Sequence, residues 1–541
     1  MNSSAQQRSA ESASQPALRR ELRFTETAAV SVGVMAPTLA MSITGVAAAS
    51  ELGRAAPLAF AVAALGVGLV AYGFVRLAGE FSHAGSVYAF VGNTLGPRAG
   101  FLAGWALLGT YLVFPPVSIM GVVIFGRAFL NTTGLVHDAD WYPLALAAWV
   151  VIGVLAARGI RPTTRSLLVF EVVSVGLILV LMGAIYWRIA AGSAPSGQRL
   201  SGEVFVFPPG VGLSALALAA TSGFLAFAGF ESAGSLGEES LAPTRVIPRA
   251  IITAVAFGAV FYVACIVTQT LGFGTGAAGV SAFRHADAPL GELARRYVGT
   301  PLAALLDLGA MLSALGAGLG GVIVAARMMF AFGRDGLASR RLGGVSAGTG
   351  VPQRALALEM LVGLVLLTAF RLAGTSALNV FFYLATIGTL SLLVMYMLTN
   401  VAAASHLGRR SAGQVVAPAA GVLIAGYVLY HNVWPVPPAP YDVLPYLVVG
   451  WLAAGLVITT VAAASHLGRR SAGQVVAPAA GVLIAGFVLY YNVWPVPPAP
   501  YDVFPYLVLG WLLAGLLITV VIRGVSAKVD DGLERVAESS R

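Results

Sequence analysis

The sequence predicts an all-α polytopic membrane protein, and three observations lead to that fold class. Hydrophobic residues make up 58% of the 541 residues and charged residues only 10%, whereas a soluble domain carries roughly 25% charged residues. The mean hydropathy is +0.85. The apolar residues come in runs of about 20, the number that a helix needs to cross roughly 30 Å of hydrocarbon. This composition excludes nucleic-acid-binding proteins and most soluble enzymes. It indicates that the chain is embedded in a lipid bilayer.

About fourteen apolar runs follow one another along the chain, each long enough to cross a membrane as a helix. Ten of them lie near residues 28–50, 57–79, 100–126, 141–157, 166–187, 212–235, 248–271, 300–332, 355–372 and 379–404. Four more lie near residues 415–430, 442–460, 475–490 and 502–522. An even number of spans places both termini on the same side of the membrane.

The distribution of arginine indicates which side that is. If the N-terminus is cytoplasmic, the inner loops hold 16 arginines and the outer loops hold 8, the two tails excluded. Cytoplasmic loops of membrane proteins carry the excess of Lys and Arg. We therefore expect a multi-pass protein of the cell (plasma or inner) membrane with both termini in the cytoplasm. The net charge of +9 then reflects orientation and not an acidic partner.

Near its C-terminus the chain contains a near-exact tandem repeat. Residues 401–460 recur as residues 461–520, and only seven positions differ between the two copies. Each copy holds two spans joined by an outer loop, so the duplication preserves the orientation of the chain. We interpret the second copy as a recently duplicated, peripheral hairpin. The alternative, that it adds a functional site, stays open.

The runs and the repeat together predict the organisation of the chain. A ten-span core carries the function, and the hairpins and polar tails lie outside it. The predicted parts are a cytoplasmic tail at 1–24, the core at 25–404, a two-span hairpin at 405–460, its duplicate at 461–522 and a second cytoplasmic tail at 523–541.

The polar residues of the sequence do not form the constellations of an enzyme or a metal site. The chain has one cysteine, Cys265, and six scattered histidines, and their spacing does not resemble that of metal ligands. No cluster of a nucleophile with acid and base groups lies at the ends of the spans. We therefore expect neither catalysis nor a bound metal or cofactor.

Two of the apolar runs are interrupted. The first carries Pro37 in its middle, and proline both lacks the N–H group and clashes with the carbonyl four residues back, so the helix should open there. The sixth contains Gly223 and Gly229 among three phenylalanines and is followed by Glu231. Interruptions in corresponding spans of two halves are typical of transporters built from inverted repeats, which bind substrate between the broken helices.

Three segments of the chain resemble the amino acid–polyamine–organocation (APC) superfamily of permeases. Glu80–Trp105 is similar to the superfamily's loop after the second span, with His83 where relatives carry proline. Phe224–Ile251 resembles its sixth span and the loop that follows, including the pattern Glu-Glu-x-x-x-Pro-x-Arg-x-Ile-Pro-Arg. Ala325–Ser339 resembles the end of its eighth span, with Ser339 in place of the last proline.

This resemblance implies an inverted 5+5 helix repeat (the LeuT-like, or APC, fold) with broken first and sixth spans. It also implies that amides of the first break hold a substrate carboxylate and that carbonyls of the sixth hold its ammonium group. Relatives carry Gly-x-Gly at the first break, where this chain has Ala36-Pro37-Thr38, and this departure keeps a larger amino acid or an amine open as substrate. The predicted substrate-binding residues are Met35, Ala36, Pro37, Thr38, Ala40, Phe224, Ala226, Phe227, Ala228, Gly229 and Phe230.

Acidic residues within the spans are candidates for coupling, because ionisable groups inside a membrane are costly and commonly functional. Glu231, beside the sixth break, is the first candidate for a proton-titrating gate, and Glu171 in the fifth span is the second. Asp307 in the eighth span is a weaker one. Some proton-coupled relatives use a fifth-span lysine, and this chain has no lysine in a span. Arg334-Asp335-Gly336 is interpreted as a cytoplasmic gate or helix cap.

Together these features predict a secondary active amino-acid permease that works by alternating access and is coupled to protons in preference to sodium. A polyamine or amine transporter or exchanger is the alternative within the same class. A membrane sensor or scaffold that has kept the transporter fold without flux is the alternative from another class.

Overall fold

The computed structural model describes residues 22–81, 87–136, 139–158, 161–237, 239–335, 338–346, 349–408, 411–434 and 442–465. Within these ranges the chain forms α-helices, short 3₁₀ helices and connecting turns. One isolated bridge joins Leu22 to Ser240, and the described residues contain no β-strand. The predicted all-α fold class is confirmed.

The α-helices of the described residues are numbered in chain order. They are α1 (Phe24–Met35), α2 (Pro37–Leu52), α3 (Ala56–Ala78), α4 (Val87–Leu95), α5 (Pro97–Thr133), α6 (Trp141–Arg158), α7 (Arg161–Ala190), α8 (Leu213–Phe227), α9 (Pro243–Phe273), α10 (Ala277–Arg284), α11 (Pro289–Tyr297), α12 (Thr300–Arg334), α13 (Gln353–Leu372), α14 (Ala377–Gly408), α15 (Val416–Val433) and α16 (Leu444–Ser465). A 3₁₀ helix, Phe230–Leu236, follows α8.

Ten segments of the described chain are long and apolar enough to cross a membrane. The first of them, Phe24–Ala78, runs for 55 residues and contains α1, α2 and α3. A further apolar segment, Leu444–Leu456, is shorter. The predicted runs near residues 475–490 and 502–522 lie outside the described residues, as do residues 1–21 and the C-terminal tail. The total of fourteen spans therefore stays a prediction.

Short helices connect some of the spans, and the sequence analysis did not predict them. α4, α10 and α11 have only eight or nine residues each, so they do not register as apolar runs. α11 begins at Pro289, which suits a first helical position because proline has no N–H to leave unpaired. Glu292 lies in its first turn and Arg295 and Arg296 in its last, a charge order that complements the helix dipole.

The centre of the bundle is α5, which packs against α12 and α14. This 37-residue helix carries Pro115 and Pro116 in its interior. Glycines of the neighbouring helices face this region: a Cβ on Gly321 would lie 3.2 Å from Cγ of Pro115, and one on Gly388 would overlap the ring of Phe114. Small residues at such contacts let membrane helices approach closely. The middle of α5 is thereby held close to α12 and α14.

The first copy of the repeated hairpin, α15 and α16, packs directly on the outer side of this core. In α15, a Cβ on Gly421 would lie 3.2 Å from the backbone nitrogen of Val70 in α3. In α16, the ring of Trp451 stacks on that of Trp105 in α5, with 4.3 Å between ring centroids. Each of the two indoles donates a hydrogen bond to the other's carbonyl, at 2.8 and 2.9 Å. Residues 466–520 of the second copy lie outside the described residues.

Candidate functional site

The first membrane span is interrupted at Ala36. α1 ends at Met35, Ala36 adopts a left-handed backbone with φ +46°, and α2 begins at Pro37. Ala36 is the one non-glycine residue with positive φ among the described residues, and such a conformation costs about 1–3 kcal/mol and persists only where the surrounding structure enforces it. Pro37 is well placed as the first residue of α2, but it gives no hydrogen bond to the carbonyl of Gly33. The predicted opening of this helix is present.

The sixth span is interrupted at Ala228 and Gly229. α8 ends at Phe227, Ala228 is extended, and Gly229 has φ +112° before the chain continues as the 3₁₀ helix. That value of φ favours glycine because a side chain would clash with the backbone. The sixth span therefore changes from an α-helix to a 3₁₀ helix at the predicted place.

The two interruptions touch each other. A Cβ built on Gly229 would lie 2.8 Å from the backbone nitrogen of Met35 and 2.7 Å from Cγ1 of Val34. The hydroxyl of Ser31 also donates a hydrogen bond to the carbonyl of Phe230, at 3.2 Å. The sequence analysis counted Gly229 among the substrate-binding residues. In the structure, the backbone of the first break lies where a side chain at Gly229 would begin.

Both breaks line one cavity. Its empty volume is about 510 Å³, a value that includes open space at the mouth. Among the described residues, the lining has three polar side chains, Thr44, Tyr111 and Ser118, and no charged one. The lining residues are Val34, Met35, Ala36, Leu39, Ala40, Thr44, Tyr111, Phe114, Val117, Ser118, Leu225, Ala228, Ala317, Gly321 and Phe381.

Four of the predicted substrate-binding residues belong to this lining: Met35, Ala36, Ala40 and Ala228. The other seven, which are not among the lining residues, are Pro37, Thr38, Phe224, Ala226, Phe227, Gly229 and Phe230.

The three phenylalanines of the sixth span point into helix contacts. The ring of Phe224 fills the space beside Gly66 of α3. Phe227 packs edge-on against Tyr262, with 5.0 Å between centroids. Phe230 packs against Phe74 and Tyr396 at 5.6 and 5.4 Å. Their side chains stabilise the break and do not face the cavity.

Glu171 lies at the N-terminus of α2. Its Oε1 accepts a hydrogen bond from the backbone N–H of Thr38 at 2.8 Å, and the side chain is buried. The next amide, that of Leu39, donates to Oγ of Ser313 in α12 at 3.1 Å. The first N–H groups of a helix have no partner within it, and at α2 side chains from α7 and α12 supply those partners.

The amino acid permease family matches residues 29–429 of the chain, the stretch that contains both breaks and the whole cavity. The chain belongs to the amino acid permease family. This confirms the resemblance to the APC superfamily and the prediction that the protein is a permease and not an enzyme.

Individual relatives of the permease are distant but similar over most of their length. A low-affinity putrescine importer of Escherichia coli is 25% identical over 326 residues, which cover 59% of this chain and 68% of the relative. A branched-chain amino acid permease of Lactococcus lactis is 25% identical over 342 residues, 59% of this chain and 69% of the relative. An uncharacterized transporter of Mycobacterium tuberculosis is 29% identical over 354 residues, 64% of this chain and 73% of the relative.

Glu231 of the permease is fully enclosed and has donors on both carboxylate oxygens. The hydroxyl of Tyr111 donates to Oε1 at 2.9 Å, and that of Tyr396 donates to Oε2 at 3.1 Å. The backbone N–H of Gly229 also donates to Oε2, at 3.1 Å. Because Tyr111 lines the cavity, its hydroxyl joins Glu231 to the space that a substrate would occupy. Sequence analysis missed Tyr111, although a tyrosine beside Thr110 in the middle of the third apolar run was a signal.

Two more acidic side chains are buried within the spans of the permease. Asp307 of α12 accepts a hydrogen bond from Thr132 at 3.2 Å, at the end of α5 far from the cavity-lining Tyr111 and Ser118. Glu359 of α13 has no hydrogen-bond partner on either carboxylate oxygen among the described residues. Sequence analysis missed Glu359 as well, although it stands alone among apolar residues in the ninth run.

On the predicted cytoplasmic side, the loop after the 3₁₀ helix contacts α12 and the N-terminal end of the described chain. Glu239 pairs with Arg327 of α12 at 2.8 Å, and its carbonyl accepts a hydrogen bond from the N–H of Leu22 at 3.0 Å. Asp335 follows α12 as its C-terminal cap and pairs with Arg334 at 3.1 Å. This position fits the predicted helix cap, while Gly336 lies outside the described residues.

Proposed function

We propose that this permease is a secondary active transporter that binds amino acids or amines in the cavity between its two interrupted helices. One observation carries the proposal: the breaks in the first and sixth spans contact each other at Gly229, and both line the same cavity. Irregular backbone survives in a membrane only where protein or a water-filled cavity satisfies its polar groups. A binding site explains why two spans are opened at one place.

The names of the relatives support a small-molecule cargo. They include a putrescine importer, a branched-chain amino acid permease and a methylthioribose transporter of Bacillus subtilis. These cargoes differ in charge and shape, so the relatives indicate the class of activity and leave the choice of substrate to the residues of this cavity.

Alternating access in this proposal uses two inverted repeats of five spans, with the repeated hairpins outside them. The position of the breaks, in the first and sixth spans, supports this arrangement because equivalent spans of the two repeats are five apart. The ten-span core then corresponds to residues 25–404, the hairpins to 405–460 and 461–522, and both termini are cytoplasmic. The predicted loop arginines support this orientation.

Proton coupling in this proposal depends on Glu231. Its carboxylate receives three hydrogen bonds, one of them from the cavity-lining Tyr111. Substrate in the cavity competes for the hydroxyl of Tyr111 and so changes how well the charged carboxylate is stabilised. A proton bound to Glu231 and a substrate in the cavity are thereby linked energetically.

Uptake by the purified chain in proteoliposomes tests the proposal. Radiolabelled amino acids and amines are offered one at a time, with and without a pH gradient, and a sodium gradient is the parallel condition. A transporter accumulates at least one compound, and a coupled one does so only with the driving ion. Binding of a compound without uptake in either condition would favour the sensor or scaffold and overturn the proposal.

A further inference from the structure

The electrostatics of the two breaks bear on which end of a substrate the cavity can hold. A helix N-terminus favours an anion and a helix C-terminus favours a cation, because the backbone dipoles align along the axis. At each break one helix ends and another begins, so both kinds of end are present. The protein's own side chains decide which of them remain available.

At both breaks, side chains of the protein already accept hydrogen bonds from amides at the start of the following helix. At the first break, the N–H groups of Thr38 and Leu39 donate to Glu171 and Ser313, and Pro37 has none. At the second break, the N–H of Gly229 donates to the carboxylate of Glu231. An acidic side chain of the protein therefore stands at each position that would attract a substrate carboxylate.

The helix C-termini are in the opposite situation. In a continuous helix the amides of Thr38 and Leu39 would donate to the carbonyls of Val34 and Met35, four residues back. Both amides donate elsewhere, so these two carbonyls lose their helical partners, and both residues line the cavity. The last turn of α8 reaches the same cavity through Leu225, whose carbonyl accepts a hydrogen bond from the N–H of Ala228 at 3.1 Å. The carbonyls that have lost their helical partners therefore lie at the C-terminus of α1, in residues that line the cavity.

The described lining residues offer a carboxylate neither a cation nor a free hydroxyl. They include no arginine, lysine or histidine, and the hydroxyls of Thr44, Tyr111 and Ser118 already donate to other groups of the protein. Apolar side chains form most of the wall, among them Leu39, Phe114, Val117 and Phe381. Placing a substrate carboxylate here would bring it near two resident carboxylates without a cation to pair with, and a buried unpaired charge is strongly unfavourable.

We propose that this cavity selects an organic ammonium ion with an apolar body and excludes the α-carboxylate of an amino acid, with Glu171 as the residue that sets this preference. The inference rests on the proposed transport function and narrows its substrate class. The ammonium group binds at the released carbonyls of the first break, and the apolar body packs on the wall of the cavity. Glu171 acts by holding the amide of Thr38 and by repelling a second anion.

Matched pairs of compounds that differ by one carboxylate test the inference. The pairs are 3-methylbutylamine with leucine and putrescine with ornithine, and each compound competes for uptake or binding in proteoliposomes that contain the full chain. We expect the wild-type protein to bind the amine of a pair at least about tenfold more tightly, which corresponds to about 1.4 kcal/mol. Equal affinities, or a preference for the amino acid, overturn the inference while leaving the transport function intact.

Variants of Glu171 test the assigned residue. Glu171→Ala frees the amide of Thr38 and removes the charge, so the preference for the amine should fall about tenfold. Glu171→Gln keeps an acceptor oxygen for that amide, so a smaller fall is expected. Asp307→Asn, which removes another buried carboxylate away from the breaks, is the matched control and should leave the preference unchanged.

The two Glu171 variants have different structural risks. If Glu171→Ala does not fold, as judged by size-exclusion chromatography, Glu171→Gln and the wild-type ratios carry the test. An unchanged preference in every folded Glu171 variant overturns the role of this residue. If the folded wild-type protein neither binds nor transports any of the four compounds, nor any compound of the wider panel, the transport function itself fails and the inference with it.

Discussion

Replacing Glu231 with glutamine should separate proton coupling from substrate movement. Glutamine has the same shape, so its oxygen can accept from Gly229 and Tyr396, and its amide can donate to the hydroxyl of Tyr111. Hydrogen bonds to a charged group contribute about 1.5–3 kcal/mol and those between neutral groups about 0.5–1.5 kcal/mol. The substitution therefore costs about 1 kcal/mol for each of the three bonds in the structure. The variant should fold and bind substrate, but it cannot release a proton.

The assay measures accumulation against a pH gradient in proteoliposomes. One pH unit is worth 1.36 kcal/mol for each proton moved, so a symporter of one proton concentrates its substrate about tenfold per unit. We expect Glu231→Gln to lose this accumulation and to keep exchange of labelled for unlabelled substrate. Glu359→Gln, which alters an equally buried glutamate with no contact to the breaks, is the control and should keep it. Accumulation of about tenfold by Glu231→Gln would refute the reasoning, and its loss in Glu359→Gln would move the coupling role there.

Three further predictions concern the breaks, the cytoplasmic closure and the repeat. Gly229→Val should insert normally but not transport, because its Cβ would meet the backbone of Met35 and its φ is +112°. Uptake assays compare this variant with Gly68→Val, whose Cβ meets no atom within 4 Å and which should transport normally. Glu239→Gln leaves the mostly buried Arg327 without its charged partner. Because breaking such a pair costs about 3–5 kcal/mol, the melting temperature in detergent should fall by several degrees. An unchanged melting temperature would mean that solvent already screens this pair. Deletion of residues 461–520 should leave the substrate affinity unchanged and the C-terminus cytoplasmic, because the first copy already packs on the core. A large loss of affinity in a correctly inserted deletion protein would show that the second copy reaches the site.

The spans of this protein are predictable because each one carries its own apolar residues. The break of the first span is predictable for the same local reason: Pro37 cannot donate to Gly33, and it disfavours the right-handed helical region for the residue before it. The structure places the left-handed residue at that preceding position, Ala36. The sequence does not show in which direction each side chain points from its helix. Phe224 and Phe227 are close to the break in the sequence, yet both side chains point into helix contacts, because the orientation of α8 depends on its packing against α3 and α9.

The tandem repeat also shows a limit of prediction from sequence, because its two copies carry the same contact residues. The residues of the first copy that contact the core, such as Gly421, Asn432 and Trp451, recur unchanged in the second copy as Gly481, Asn492 and Trp511. Sequence alone therefore offers two equivalent hairpins for one face of the core. The structure places the first copy there, the hairpin that directly follows α14 in the chain. The contact residues are the same in both copies, so the sequence of the contacts alone does not distinguish them.

The pairing of Glu171 with Thr38 shows how far local reasoning extends at the site. Opening a helix inside a membrane creates N–H groups that must find acceptors, because the surrounding hydrocarbon supplies none. The sequence around Pro37 shows that these N–H groups need acceptors. The acceptor, however, lies 133 residues further along the chain, and the packing of α7 and α12 around α2 brings it to the N-terminus of α2. Once a carboxylate of the protein meets the need, the same N-terminus is no longer free to attract a substrate carboxylate. The proposed substrate preference of the cavity thus depends on a tertiary contact, and the local sequence Ala36-Pro37-Thr38 does not determine it alone.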